Sequence, residues 1–176
     1  MARPEQKQSF YAAVGGVLAA GSLALLWLAC AAPSGRIGFT AAAGLFPMAA
    51  AMYAGRRTGY LCWAASAVLG LLILPDKIVG LLYLTFLGLY PVVKGRLETL
   101  GRLSLEWGLK LASFNLVLTL FWFVFQELFL PQAPAWLTEN TLLAYGLGNL
   151  LFVAYDLGLS QIVARIRAYL MRRKSR

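Results

Sequence analysis

The sequence predicts an all-α membrane protein, a polytopic bundle of six transmembrane helices with both termini in the cytoplasm. Three observations predict it. Of 176 residues, 60% are hydrophobic and only 13% charged, about half the charge of a soluble domain, so there is too little polar surface to cover a globule. The apolar residues gather into six runs near the roughly 20 residues a helix needs to cross hydrocarbon. The Lys and Arg residues then divide unevenly among the joins, as they do between cytoplasmic and external loops. A closed barrel is the other way to satisfy a backbone in lipid. Its strands alternate apolar and polar residues, whereas these runs are apolar on every side.

The first run covers 10–32 and ends at Pro33-Ser34-Gly35. The second covers 37–54 and ends at Gly55-Arg56-Arg57, and the third covers 58–74 and closes on Pro75-Asp76. The fourth covers 78–93, where Pro91 removes a backbone donor and should kink or end the helix. The segment 94–107 mixes Lys94, Arg96, Glu98, Arg102 and Glu106 with four leucines, a pattern suited to a helix lying at the cytoplasmic interface. The fifth run covers about 108–130 and the sixth about 141–166, followed by a basic tail, 167–176. The whole forms a single transmembrane domain.

With the N-terminus inside, fourteen Lys and Arg residues fall on the cytoplasmic side and two, Arg36 and Lys77, outside. A missed or invented span would scramble that division, so it tests the span count together with the orientation. The end of the first run, Leu28-Ala29-Cys30-Ala31-Ala32, faintly resembles a signal-peptide cleavage site. The run is long for a signal core, and Trp27 is bulky for such a site, so span one is expected to be retained.

Composition also narrows the function classes. The net charge of +9 is spread over loops instead of forming the basic patch of a nucleic-acid binder. There is no His, which removes the commonest general base and metal ligand. Cys30 and Cys62 lie apart in apolar runs, without a CxxC pair for zinc or redox chemistry. No serine stands in a GxSxG frame, and no phosphate loop occurs. The expectation is a non-enzyme with no cofactor and no metal.

Five groups of residues stand out. In span one, small residues recur four apart at Ala12, Gly16 and Ala20, and again at Gly15 and Ala19. Such a face lets helix backbones approach closely, either within the bundle or against a partner subunit. Lys94 with Glu98, and Glu106 with Lys110, are spaced for intrahelical ion pairs at the cytoplasmic border. Asp156 lies inside span six. A carboxylate in lipid is costly and must find a partner inside the bundle. Asn149 is two turns away on the same face, and Lys110 and Asn115 on span five are candidate partners across the helices. Asp156 reads equally as a structural clamp and as a functional group. Toward the outside, Asp76, Gln126, Glu127 and the loop Pro131–Glu139 would cap a shallow ligand pocket, while Trp122 and Trp136 suit interface anchoring.

Six short spans, about 180 residues, the N-in, C-in layout and the Ala12-xxx-Gly16-xxx-Ala20 pattern resemble the substrate-binding S component of energy-coupling-factor transporters. The chain is also similar in layout to MreD-type membrane proteins of the bacterial rod-shape machinery. The first resemblance implies a vitamin-like or metal-ion ligand near the outer face, with a transmembrane coupling subunit and ATPases as partners. A nickel or cobalt ligand fits poorly without His. The second implies a scaffold with no small ligand. Either implies the bacterial cytoplasmic membrane.

Overall fold

A computed structural model describes residues 4–32, 34–98, 101–125, 127 and 134–174. All regular structure among them is helical. Among the described residues nine α-helices follow in order: α1 Pro4–Ala31, α2 Arg36–Ala43, α3 Leu45–Ala54, α4 Arg56–Ile73, α5 Lys77–Leu82, α6 Tyr90–Leu97, α7 Leu103–Phe123, α8 Ala135–Thr138 and α9 Thr141–Lys174. One wide π-helical turn, Tyr83–Leu87, joins α5 to α6.

Four of these stretches are long and apolar enough to cross a membrane: Gln8–Ala31, Arg36–Ala54, Lys77–Leu97 and Thr141–Ile166. They match the first, second, fourth and sixth runs. Many large apolar side chains on them face outward, among them Val17, Ile37, Leu150 and, at 85% exposure, Leu142, as lipid-facing positions do. The third run and the described part of the fifth are also helical. However, α4 starts on Arg56-Arg57, and α7 carries Glu106, Lys110 and Asn115, which lower their mean hydropathy. The expected end of the fifth run, 128–130, and the loop residues Pro131, Gln132 and Ala133 lie outside the described residues, as does Gln126.

Pro91 does not end the fourth run. The helix resumes at Tyr90 with Pro91 in its first turn and continues to Leu97. A proline is tolerated there because first-turn amides have no helical acceptor. The irregularity lies upstream, in the π turn, where Gly88 N donates to Tyr83 O at 2.8 Å. Segment 94–107 is likewise divided. Its start closes α6 and its end opens α7, and Lys94, expected at an interface, is 1% exposed.

The chain forms two compact units, residues 1–107 and 108–176. In the first unit α1 buries one stripe, Gly15, Ala19, Ser22, Leu26 and Ala29, spaced four and three apart as one helix face requires. This stripe meets α4 running in the same direction. A side chain on Gly15 would touch Thr58, and one on Gly70 would touch Leu23 and Leu26. Leu26, Ala29, Ala43, Ala67, Leu74, Val79 and Tyr83 form the core. At Gly55 the backbone takes a positive φ of 95°, open to glycine at little steric cost, and the chain reverses from α3 into α4. Gly59 is then seated so tightly that an added Cβ would lie 2.5 Å from that of Ala51.

Two prolines shape the centre of this unit. Pro47 has no N–H for the carbonyl of Ala43, four residues back, and Pro91 has none for that of Leu87. The freed Ala43 carbonyl finds a donor, and the freed Leu87 carbonyl is closely packed. Ser22 Oγ donates to Ala43 O at 2.9 Å. Leu87 O lies against Gly44, where any Cβ would collide with it.

Candidate functional site

The strongest concentration of polar side chains within an apolar setting lies in the second unit, between α7 and α9. On α9, Tyr145, Asn149, Phe152, Asp156 and Leu159 recur at intervals of four and three, so they share one face. On α7, Lys110 and Phe114 lie four apart, and Asn115, Thr119 and Trp122 follow at intervals of four and three. The helices run antiparallel, and partners ascend one while descending the other.

At one end Trp122 packs edge-on to Tyr145 with ring centroids 6.5 Å apart. Thr119 Oγ1 donates to Asn115 O at 2.7 Å, so it accepts the Tyr145 hydroxyl proton across a 2.8 Å contact. One turn further, Asn115 and Asn149 exchange amide hydrogen bonds of 2.9 and 3.0 Å. The second N–H of each goes to its own helix, to Leu111 O and Tyr145 O. Each amide has two donors, and all four are used. Phe114 and Phe152 stack next, with centroids 4.7 Å apart and planes within 9°. Beyond them Lys110 Nζ meets Asp156 Oδ2 at 3.1 Å, both side chains 2% exposed.

Elementary chemistry explains the order. Asp156 is ten residues from the end of the apolar stretch, about 15 Å along the axis, too deep to reach water. A buried charge needs a counter-charge and further hydrogen bonds, and the long Lys110 stem reaches from the opposite helix. The stacked phenylalanines lie between this pair and the amide pair. The seam therefore holds two helices in one register and satisfies its own polar groups.

The remaining residues singled out from the sequence lie elsewhere. Lys94 pairs with Glu98 at 3.1 Å, one turn apart on α6. Glu106 is half-buried in the first turn of α7, one turn before Lys110. Asp76 is engaged locally. It caps α5 by accepting from Ile78 N at 3.0 Å and pairs with Arg36 at 3.0 Å. Lys77 Nζ donates to Leu71 O and Leu74 O, each at 2.9 Å, where a cation suits the carboxyl end of α4. Glu127 is exposed. Ala12, Gly16 and Ala20 all face outward on α1, and a side chain added at Gly16 would meet nothing within 4 Å. The neighbouring register, Gly15 and Ala19, is the one that packs inside.

Sequence reading missed a second polar cluster, in the first unit. Tyr83 Oη lies 2.7 Å from Ser22 Oγ and 2.7 Å from Ser66 Oγ, and all three residues are fully buried. Ser66 also reaches Cys62 O at 2.7 Å. Three hydroxyl protons serve two contacts between hydroxyls and the carbonyls beyond them. Ser22 and Ser66 each donate to a carbonyl, Ala43 O and Cys62 O, so both serine oxygens are left as acceptors for the single Tyr83 hydroxyl proton. The available signal was faint: isolated hydroxyls in three apolar runs, and the carbonyl that Pro47 frees. No protein family, curated protein or solved structure matches this chain.

Proposed function

We propose that the protein is a non-enzymatic integral membrane subunit that works by lateral assembly with a partner in the bacterial cytoplasmic membrane. In this reading it has six spans, with both termini in the cytoplasm. The parallel packing of α4 on α1 supports α4 as a third span, and the antiparallel seam supports α7 as the fifth. The observation that carries the assembly reading is the open small-residue face of α1. Ala12, Gly16 and Ala20 stay exposed although they are as compact as the Gly15 and Ala19 positions that pack. Close helix approach needs this kind of surface.

Two versions of the subunit are supported to different degrees. A small-molecule uptake component, similar in layout to an energy-coupling-factor S component, would dock a coupling subunit and its ATPases on this face. It would hold its ligand near the outer ends of the spans, by the loops around Asp76 and Pro131. An MreD-like envelope scaffold needs no ligand. One observation favours the scaffold: Asp76, Asn115, Asn149 and Asp156 are each bonded to another part of the chain instead of converging on a common space. Co-purification separates the versions. An ATPase pair with a membrane coupling subunit supports uptake, and a cell-envelope assembly without ATPases supports the scaffold. Gly16→Leu tests the shared claim. The variant should insert normally and lose its partner, and unchanged assembly would remove the docking face.

A further inference from the structure

A groove of about 470 Å³ runs between α1 and α4 in the first unit, within the size range of small-ligand sites. Its two ends differ in chemistry. Gln8, Tyr11, Arg57 and Thr58 line one end, and Ala19, Leu61 and Ala65 line the other. Glycine and alanine form much of the α1 wall, so the floor is apolar and shallow in side-chain bulk. Among the described residues no acidic side chain lines the groove, and Arg57 makes no ion pair. The charge at the polar end therefore awaits an anion.

Length decides what kind of anion. From Arg57 to Ala65 the groove climbs about 12 Å along α4, and from Gln8 to Ala19 about 16 Å along α1. Half the hydrocarbon core is about 15 Å thick. A transmembrane partner helix would need a track through both leaflets, whereas one lipid chain needs one leaflet. Basic pockets between helices on the cytoplasmic side are suited to anionic headgroups. We propose that this groove binds one anionic phospholipid, its phosphate on Arg57 and an acyl chain laid past Ala19 and Leu61 toward Ala65. Ala12 and Gly16 line the groove and Ala20 lies outside it, so the site overlaps the docking face of the proposed function, and a substitution on α4 is needed to test the lipid site separately.

The test is native mass spectrometry of the full chain in detergent, titrated with phosphatidylglycerol and with phosphatidylcholine of the same acyl chains. We expect one retained phosphatidylglycerol and a preference over phosphatidylcholine of about tenfold, the size of one charge-assisted contact. Arg57→Gln should erase that preference, and Arg57→Lys should keep most of it. Ala65→Phe, at an exposed position away from the α1 face, should weaken phosphatidylglycerol by blocking the chain. Equal affinity for the two lipids would overturn the proposal. So would unchanged binding by both Arg57→Gln and Ala65→Phe, or inorganic phosphate competing as well as the lipid, or a transmembrane polypeptide cross-linked to Ala65 in place of lipid.

Discussion

Neutralising Asp156 should destabilise the protein far more than an ordinary surface change. The carboxylate and the Lys110 ammonium are 3.1 Å apart with 2% exposure each. At an effective dielectric of about 20 their attraction is about 5 kcal/mol. Asp156→Asn preserves shape and one hydrogen-bond acceptor but removes the carboxylate that Lys110 meets across the helices. Breaking one side of a buried pair costs about 3–5 kcal/mol. For a chain of this size the loss corresponds to a fall in melting temperature of roughly 6–20 °C, at about 2–4 °C per kcal/mol. The assay is thermal unfolding in detergent, followed by circular dichroism or by accessibility of Cys62. Removing both charges, as Lys110→Met with Asp156→Leu, should restore stability to the wild-type level or raise it by about 1–4 kcal/mol. If Asp156→Asn melts within 2 °C of the wild type, or the double variant is no better than the single one, the pair does not hold the seam.

Other outcomes follow from the same geometry. Asn115→Leu should cost about 0.6–1.7 kcal/mol, the range of hydrogen bonds between membrane helices, and adding Asn149→Leu should cost little more; a double-variant cycle in the same unfolding assay reads the coupling. Gly44→Ala should destabilise by at least about 1–3 kcal/mol, since its methyl would strike Leu87 O, whereas Gly16→Ala should leave the melting temperature unchanged or raise it. Tyr83→Phe leaves the Ser22 and Ser66 hydroxyls competing for fewer partners and should cost about 1–3 kcal/mol, measured as a shift in melting temperature. Single cysteines at Arg56 and Lys77 should label from opposite faces of sealed vesicles, and reporters at the two chain ends from the same face. Ends on opposite faces would refute the six-span arrangement.

The α1 stripes show where sequence and tertiary structure divide the work. Composition alone placed the chain among helical membrane proteins, because long uninterrupted apolar runs have only one open-ended way to satisfy their backbone in lipid. It located Asp156 as a group that must find a partner, because charge inside hydrocarbon is costly wherever the helix goes. These inferences depend on one segment and its solvent, so a linear sequence carries them. Which register of α1 packs is a different kind of fact. Gly15 and Ala19 are of the same small residue types as Ala12, Gly16 and Ala20, and only the positions of α3 and α4 bury the first set and leave the second open. The same holds for Pro91, whose effect on the helix depends on the π turn upstream and on Gly44 opposite. It holds for Ser22, which meets Tyr83 only because distant helices cross there. A sequence fixes what each side chain requires. Packing between segments far apart in the chain selects, among several equivalent partners, the one that meets the requirement.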